Sequence, residues 1–116
     1  MTMLTRSQVR ALARNRSRLL QELAALSQLI RGSYLERYST CSRPECACHR
    51  GKRHGPREYV VVSREQKQRQ VYVPKAQLQA VRAGLLQYQR MIELADKISE
   101  INLKLMRGGA LDESVK

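Results

Sequence analysis

At 116 residues, with 22 Lys and Arg against 10 Asp and Glu, the chain carries a formal charge of +12. That length holds one domain, and so large a charge opposes compaction unless a polyanionic partner relieves it. No apolar run approaches the roughly 20 residues that span a bilayer and the N-terminus lacks the basic, apolar, small-residue order of a secretory signal, so the expectation is a cytoplasmic protein with no membrane partner.

Thr5-Arg6-Ser7-Gln8 reads as a capping box, in which the Thr5 hydroxyl and the Gln8 amide each satisfy a backbone N–H at a helix start. Leu12, Leu19, Leu23, Leu26 and Ile30 then recur in steps of three and four, apart from an interruption at Arg16. This is the seam of a helix that packs lengthwise on another. Gly32 supplies its stop, which predicts helix 1 over residues 5–32. With no Trp, no Phe and only five Tyr in the chain, the core must be aliphatic and narrow.

Residues 33–38 alternate, with Tyr34, Glu36 and Tyr38 on one side and Leu35 and Arg37 on the other, as a strand would. Glu58–Ser63 and Gln70–Val73 are rich in β-branched residues and tyrosine and read as an antiparallel hairpin around a polar loop at 64–69. Pro74 cannot donate to a sheet ladder and suits a helix start, so helix 2 should run over 75–107. Its seam is Leu78, Val81, Leu85 and Tyr88, then Met91, Leu94, Ile98, Ile101 and Leu105, joined by an extra step of three that shifts the phase. Gly108-Gly109 ends it, and residues 108–116 are expected to be a disordered tail.

The chemistry lies between the helices. Cys41, Cys46, Cys48, His49 and His54 fall within fourteen residues, among the turn formers Pro44, Gly51, Gly55 and Pro56. An odd number of closely spaced thiols suits a metal in a reducing compartment better than a disulfide framework. Structural zinc takes four tetrahedral Cys and His ligands, and neighbouring Arg and Lys ease thiol deprotonation. Cys41, Cys46, Cys48 and His54 would complete such a site. His49 directly follows a ligand and is set to point away, so His54 is preferred, with His49 the alternative. A catalytic metal would need an open position and a base; Glu45 and Glu58 are the local carboxylates, and with no other catalytic signature the reading is not an enzyme. The metal's expected role is to fold a segment with too little apolar surface to fold itself.

At these residues the sequence resembles a small uncharacterised prokaryotic family with a leading helix, a Gly-Ser-strand-Cys segment, a Cys-x4-Cys-x-Cys cluster ending in His-Gly-Pro, a tyrosine-rich hairpin and a terminal helix. Here the pattern reads Gly32-Ser33, Tyr34–Tyr38, Cys41, Cys46, Cys48, His54-Gly55-Pro56, Tyr59–Ser63 and Tyr72-Val73-Pro74, within residues 20–107. The resemblance implies this fold and a loose association with mobile elements, but no activity. His49 departs from the family pattern and leaves the fourth ligand open at this point.

The charge is uneven: residues 1–30 carry five Arg against Glu22, 31–75 carry eleven basic against four acidic residues, and 76–116 carry six against five. Arg6, Arg10, Arg14 and Arg18 stack on one helix face, where each like-charge pair costs about 0.2 to 0.5 kcal/mol but where phosphates would find planar donors and release counterions; a merely solvated face is the competing account. Arg43, Arg50, Lys52 and Arg53 surround the cluster, and Arg57, Arg64, Lys67 and Arg69 frame the hairpin. A β-ribbon fits a major groove, and Tyr34, Tyr38, Tyr59 and Tyr72 would stack on unpaired bases if exposed, although strand tyrosines more often cover a core. A helix of about 25 residues is nearly 40 Å long, so the arginine stripe and the cluster should not form one site within one chain.

The expectation is thus a single α+β domain over 1–116. Two long antiparallel helices flank a small antiparallel β-sheet with a zinc knuckle at 33–74, and the chain dimerises through its helices. It would bind nucleic acid, DNA in the first instance, as an accessory or regulatory factor of a mobile element, with a recombinase or transposase as a conceivable protein partner. The competing reading is an adaptor in which zinc is a structural cap and the helices recruit an acidic partner or a nucleic-acid enzyme.

Overall fold

The computed structural model describes residues 3–112. In chain order it contains α1 (Arg6–Ala24), β1 (Ser33–Ser39), β2 (His54–Arg64), β3 (Lys67–Val73) and α2 (Leu78–Arg107), with short 3-10 turns at Ala47–Arg50 and Lys75–Gln77. The chain divides into two compact units, Met1–Gln28 with Gln87–Lys116, and Leu29–Leu86. The phase shift in the α2 seam, at Tyr88 to Met91, falls beside this boundary. No helix among the described residues is long and apolar enough to cross a membrane.

The first unit is a helical hairpin. Both halves of the capping box form: the Gln8 N–H donates to Thr5 Oγ1 at 3.1 Å and the Thr5 N–H to Gln8 Oε1 at 2.9 Å. Leu19, Leu94, Ile101 and Leu105 make the buried core, with Val9, Leu12, Leu23, Leu26 and Ile98 packed around it. The antiparallel register is fixed along its length. Leu4 packs on Gly108, Arg16 donates to Asn102 at 2.8 Å, and Arg90 holds Glu22 through two bonds of 2.6 and 3.1 Å.

Two boundaries differ from the sequence expectation. α1 ends at Ala24, not at Gly32. Beyond it the chain finds partners on α2 in place of helical ones: the Gln28 N–H donates to Gln87 Oε1 at 3.0 Å, within the first unit, and the Ile30 N–H donates to the Gly84 carbonyl at 3.1 Å, within the second. Leu26 stays against the hairpin core although it lies beyond the helix. At the other end, the start of the expected disordered tail is packed: Gly108 is buried, the Ala110 N–H donates to the Leu105 carbonyl at 2.7 Å, and Ala110 lies on the core, while Leu111 and Asp112 are exposed. Residues 113–116 lie outside the described residues.

The second unit is a three-stranded antiparallel sheet in the order β1-β2-β3. The hairpin turn is tighter than the expected 64–69 loop, being only Glu65 and Gln66, both with positive φ (52° and 65°), as a two-residue turn that follows the strand twist requires. Gly32 is not a helix stop but a point of close approach: at φ 154°, a Cβ there would lie 2.5 Å from Val60 Cγ1 and 2.8 Å from the Val61 carbonyl oxygen. The sheet has a covered face, with Glu58, Val60 and Val73 buried. Tyr34 shares that face, donates its hydroxyl to Glu36 at 3.3 Å and receives a bond of 3.1 Å from Arg82 of α2, whose guanidinium lies over its ring.

Candidate metal centre

The connection from β1 to β2 runs from residue 40 to residue 53, and the strand ends it joins are held together. Ser39 pairs with His54 after a bulge that follows Arg37. Gly55 allows the strands to close here, since a Cβ on it at φ 132° would meet the Arg37 carbonyl oxygen at 2.8 Å. Cys41 follows β1 and His54 opens β2. Between them, a turn closed by the Cys46 N–H on the Arg43 carbonyl and the 3-10 turn at Ala47–Arg50 fold the loop back. Gly51, in the left-handed region at φ 105°, ends that turn.

This path brings the Cys41, Cys46 and Cys48 sulfurs and a His54 ring nitrogen within 4.8 Å of one another. Cys41 Sγ and Cys48 Sγ are 3.6 Å apart, and Cys46 Sγ is 3.3 Å from His54 Nε2. A tetrahedral ion with Zn–S near 2.3 Å and Zn–N near 2.0 Å would separate such donors by about 3.8 and 3.5 Å, so the four atoms fit one ion with only small adjustment. Cys48 is buried, Cys41 and Cys46 are partly covered, and His54 is exposed.

The electrostatics suit thiolate ligation. The Cys41 N–H points at Cys48 Sγ at 3.3 Å, a donor that stabilises charge on sulfur. Cys46 is lowered to about 6, first by the Cys48 backbone N–H, then by hydrogen bonds from the Cys48 and Cys41 side chains, with His54 adding a smaller share. Cys48 is raised, first by its burial. The cluster thus holds one thiol shifted toward its thiolate and one, buried, shifted toward its neutral form.

The four ligands expected from the spacing are the four the fold gathers. His49 is exposed on the 3-10 turn, where its N–H donates to the Cys46 carbonyl, and it is not among the converging donors. Glu45 is exposed in the loop, whereas Glu58 is buried on the sheet.

The family described as Domain of unknown function (DUF6788) matches residues 9–83. The chain belongs to this family. The match takes in all four converging donors and the whole sheet of this DUF6788 chain, and the mobile-element association finds no counterpart in the family's description. No curated protein and no solved structure matches the chain.

The basic side chains singled out in the sequence are all exposed. Arg10, Arg14 and Arg18 line a shallow groove on α1 with Ala13, Ser17 and Gln21, and Arg6 continues the stripe toward the helix start. Among the described residues, none of these four arginines is paired with a carboxylate; the ion pairs are those of Arg90 with Glu22 and Glu93. Arg43, Arg50, Lys52, Arg53 and Arg57 are exposed on the metal loop and the start of β2. Arg64, Lys67 and Arg69 line a groove near the hairpin turn together with Arg31, which the sequence reading passed over; Arg31 is held by a bond to the Ser63 carbonyl at 2.8 Å.

Proposed function

We propose that the protein binds nucleic acid, DNA in the first instance, and that a zinc ion held by Cys41, Cys46, Cys48 and His54 is a structural part of the binding unit. The observation that carries this is the coincidence, in one small sheet unit, of a complete Cys3His donor set with eight exposed basic side chains from Arg43 to Arg69, against the exposed Glu45 and Glu65 of the same segment. Four protein donors fill a tetrahedral shell, the pattern of a structural rather than a catalytic site, so the reading is a binding protein and not an enzyme. Thiolate ligands belong in a reducing compartment, hence the cytoplasm. The arginine stripe on α1 is a second cationic surface, and an accessory or regulatory role in a mobile element is consistent with such general affinity.

The second reading is a zinc-stabilised adaptor. It is favoured by the apolar groove on the helical unit lined by Leu20, Leu23, Ile98, Leu103 and Met106, several of them exposed, where a second copy would form a homodimer or a protein partner such as a recombinase would dock.

The test is fluorescence anisotropy of zinc-loaded protein against labelled DNA and RNA over a salt series, with zinc content measured on the same sample. For a nucleic-acid binder, log affinity falls with log salt at about 0.9 per duplex phosphate contacted, with one equivalent of zinc bound. Weak binding that ignores salt would overturn the reading in favour of the adaptor.

A further inference from the structure

The sheet has a second face. Residues directly opposite in an antiparallel pair point the same way, and the register places Leu35, Tyr59 and Tyr72 in one row across all three strands, with Arg37 opposite Arg57 in the next row. On this side Tyr72 is 54% exposed, while the buried Glu58, Val60 and Val73 are on the other. The strand carboxylates Glu36 and Glu58, opposite each other, lie on the other face, which also carries Arg64, Lys67 and Arg69 toward the turn, while the open face carries Arg37 and Arg57 with no carboxylate among its strand residues.

Two arginines facing each other across strands are unfavourable for the sheet alone. Their arrangement is nevertheless ordered. Arg37 lies across the Tyr59 ring, 5.9 Å from its centroid, and donates to Gln70 Oε1 at 2.8 Å. Tyr59 meets Tyr72 edge to face at 5.8 Å. The result is a patch with one largely open ring, a guanidinium held beside a second ring and a further cation at Arg57. A duplex hides its base faces in the stack, so an aromatic ring and a guanidinium plane on an open sheet are complementary to splayed bases and an adjacent phosphate.

We infer that this face binds a single-stranded nucleic acid, with bases stacking on Tyr72 and on the Arg37 guanidinium and a phosphate held by Arg57. This rests on the nucleic-acid reading above and specifies its site and substrate class. The sugar is not distinguished by stacking or by phosphate contact, so DNA and RNA strands are separate arms of the test.

The experiment compares zinc-loaded full-length protein on single-stranded DNA, single-stranded RNA and duplex DNA of equal length, for the native chain and for Tyr72→Val, Tyr72→Phe and Arg57→Gln. The expected result is tighter binding to single strands than to duplex. Tyr72→Val should weaken single-strand binding by about tenfold or more, as loss of one stacked base does, with Tyr72→Phe close to native. Arg57→Gln should flatten the salt dependence by about 0.7. Circular dichroism and zinc content check that each variant is folded. Duplex binding that is preferred and indifferent to Tyr72→Val would overturn this inference and leave the nucleic-acid reading standing. Absence of binding to all three would overturn both.

Discussion

In the helical unit the buried side chains are Leu19, Leu94, Ile101 and Leu105; in the sheet unit they are Cys48, Glu58, Val60 and Val73. The first set is wholly aliphatic and continuous along a seam, and each residue contributes about 1.5 to 3 kcal/mol by leaving water. The second includes a thiol and a carboxylate and has only two buried aliphatic members, Val60 and Val73. The difference lies in what each half has to hold it: a continuous aliphatic seam in one, and in the other a thin apolar core beside a Cys3His cluster that could hold a metal ion.

The largest expected effect separates them. Cys46→Ser removes a donor from a site whose metal, in small zinc domains, supplies about 10 to 16 kcal/mol of apparent binding energy. The sheet unit should unfold while far-UV circular dichroism keeps most of its helical signal. A variant that retained one equivalent of zinc and native binding would refute the ligand assignment. Leu94→Ala is the reciprocal cut. Leu94 is fully buried, and truncation there should cost about 2 to 5 kcal/mol, seen as a lowered denaturation midpoint in the helical signal, with zinc stoichiometry unchanged. If it also lowered zinc content, the two halves would not be energetically separate.

The smallest effect sharpens the comparison within the helical unit. The Arg90 hydrogen bond, then its charge, holds Glu22 below the usual carboxylate range. A carboxyl lowered in the folded state stabilises above its unfolded pKa, and that contribution is lost as pH falls through the lowered value. Glu22→Gln should therefore cause a small loss of thermal stability at neutral pH that shrinks toward zero in acid. An equal loss at all pH values would mean that the pair acts by packing rather than by charge.

The helical unit was the more legible half because its signals are periodic and local. Thr5 and Gln8 cap α1 as their spacing predicts, and Leu19, Leu94, Ile101 and Leu105 are the buried members of the two seams. Where α1 ends was not legible, because Gln87 and Gly84, more than fifty residues away, supply the bonds that release residues 26–31 from the helix. In the sheet unit the three thiols could be named from spacing, and His54 was preferred over His49 because a ligand's neighbour turns outward, but only the fold, which gathers His54 and leaves His49 out, decides between them. The two-residue turn was hidden because Glu65 and Gln66 are not residues that favour positive φ. The early start of β2 at His54 was masked by glycine and proline. Which face of the sheet lay open depended on tertiary contacts that strand alternation does not contain.

Cys41 and His54 sit at the two strand ends that the 40–53 connection joins, so an ion between them would act as a clasp on the order of assembly. β2 and β3 are joined by two residues and can meet without help, whereas β1 must be brought back across a long loop whose closure carries an entropy cost that grows with its length. An ion that shortened that loop to its own span would make β1 the strand whose arrival depends on metal. Without an ion the helical hairpin would then be finished while the sheet stays unformed, since a two-stranded ribbon alone is marginal in water, with Leu35 and Arg37 not yet in place.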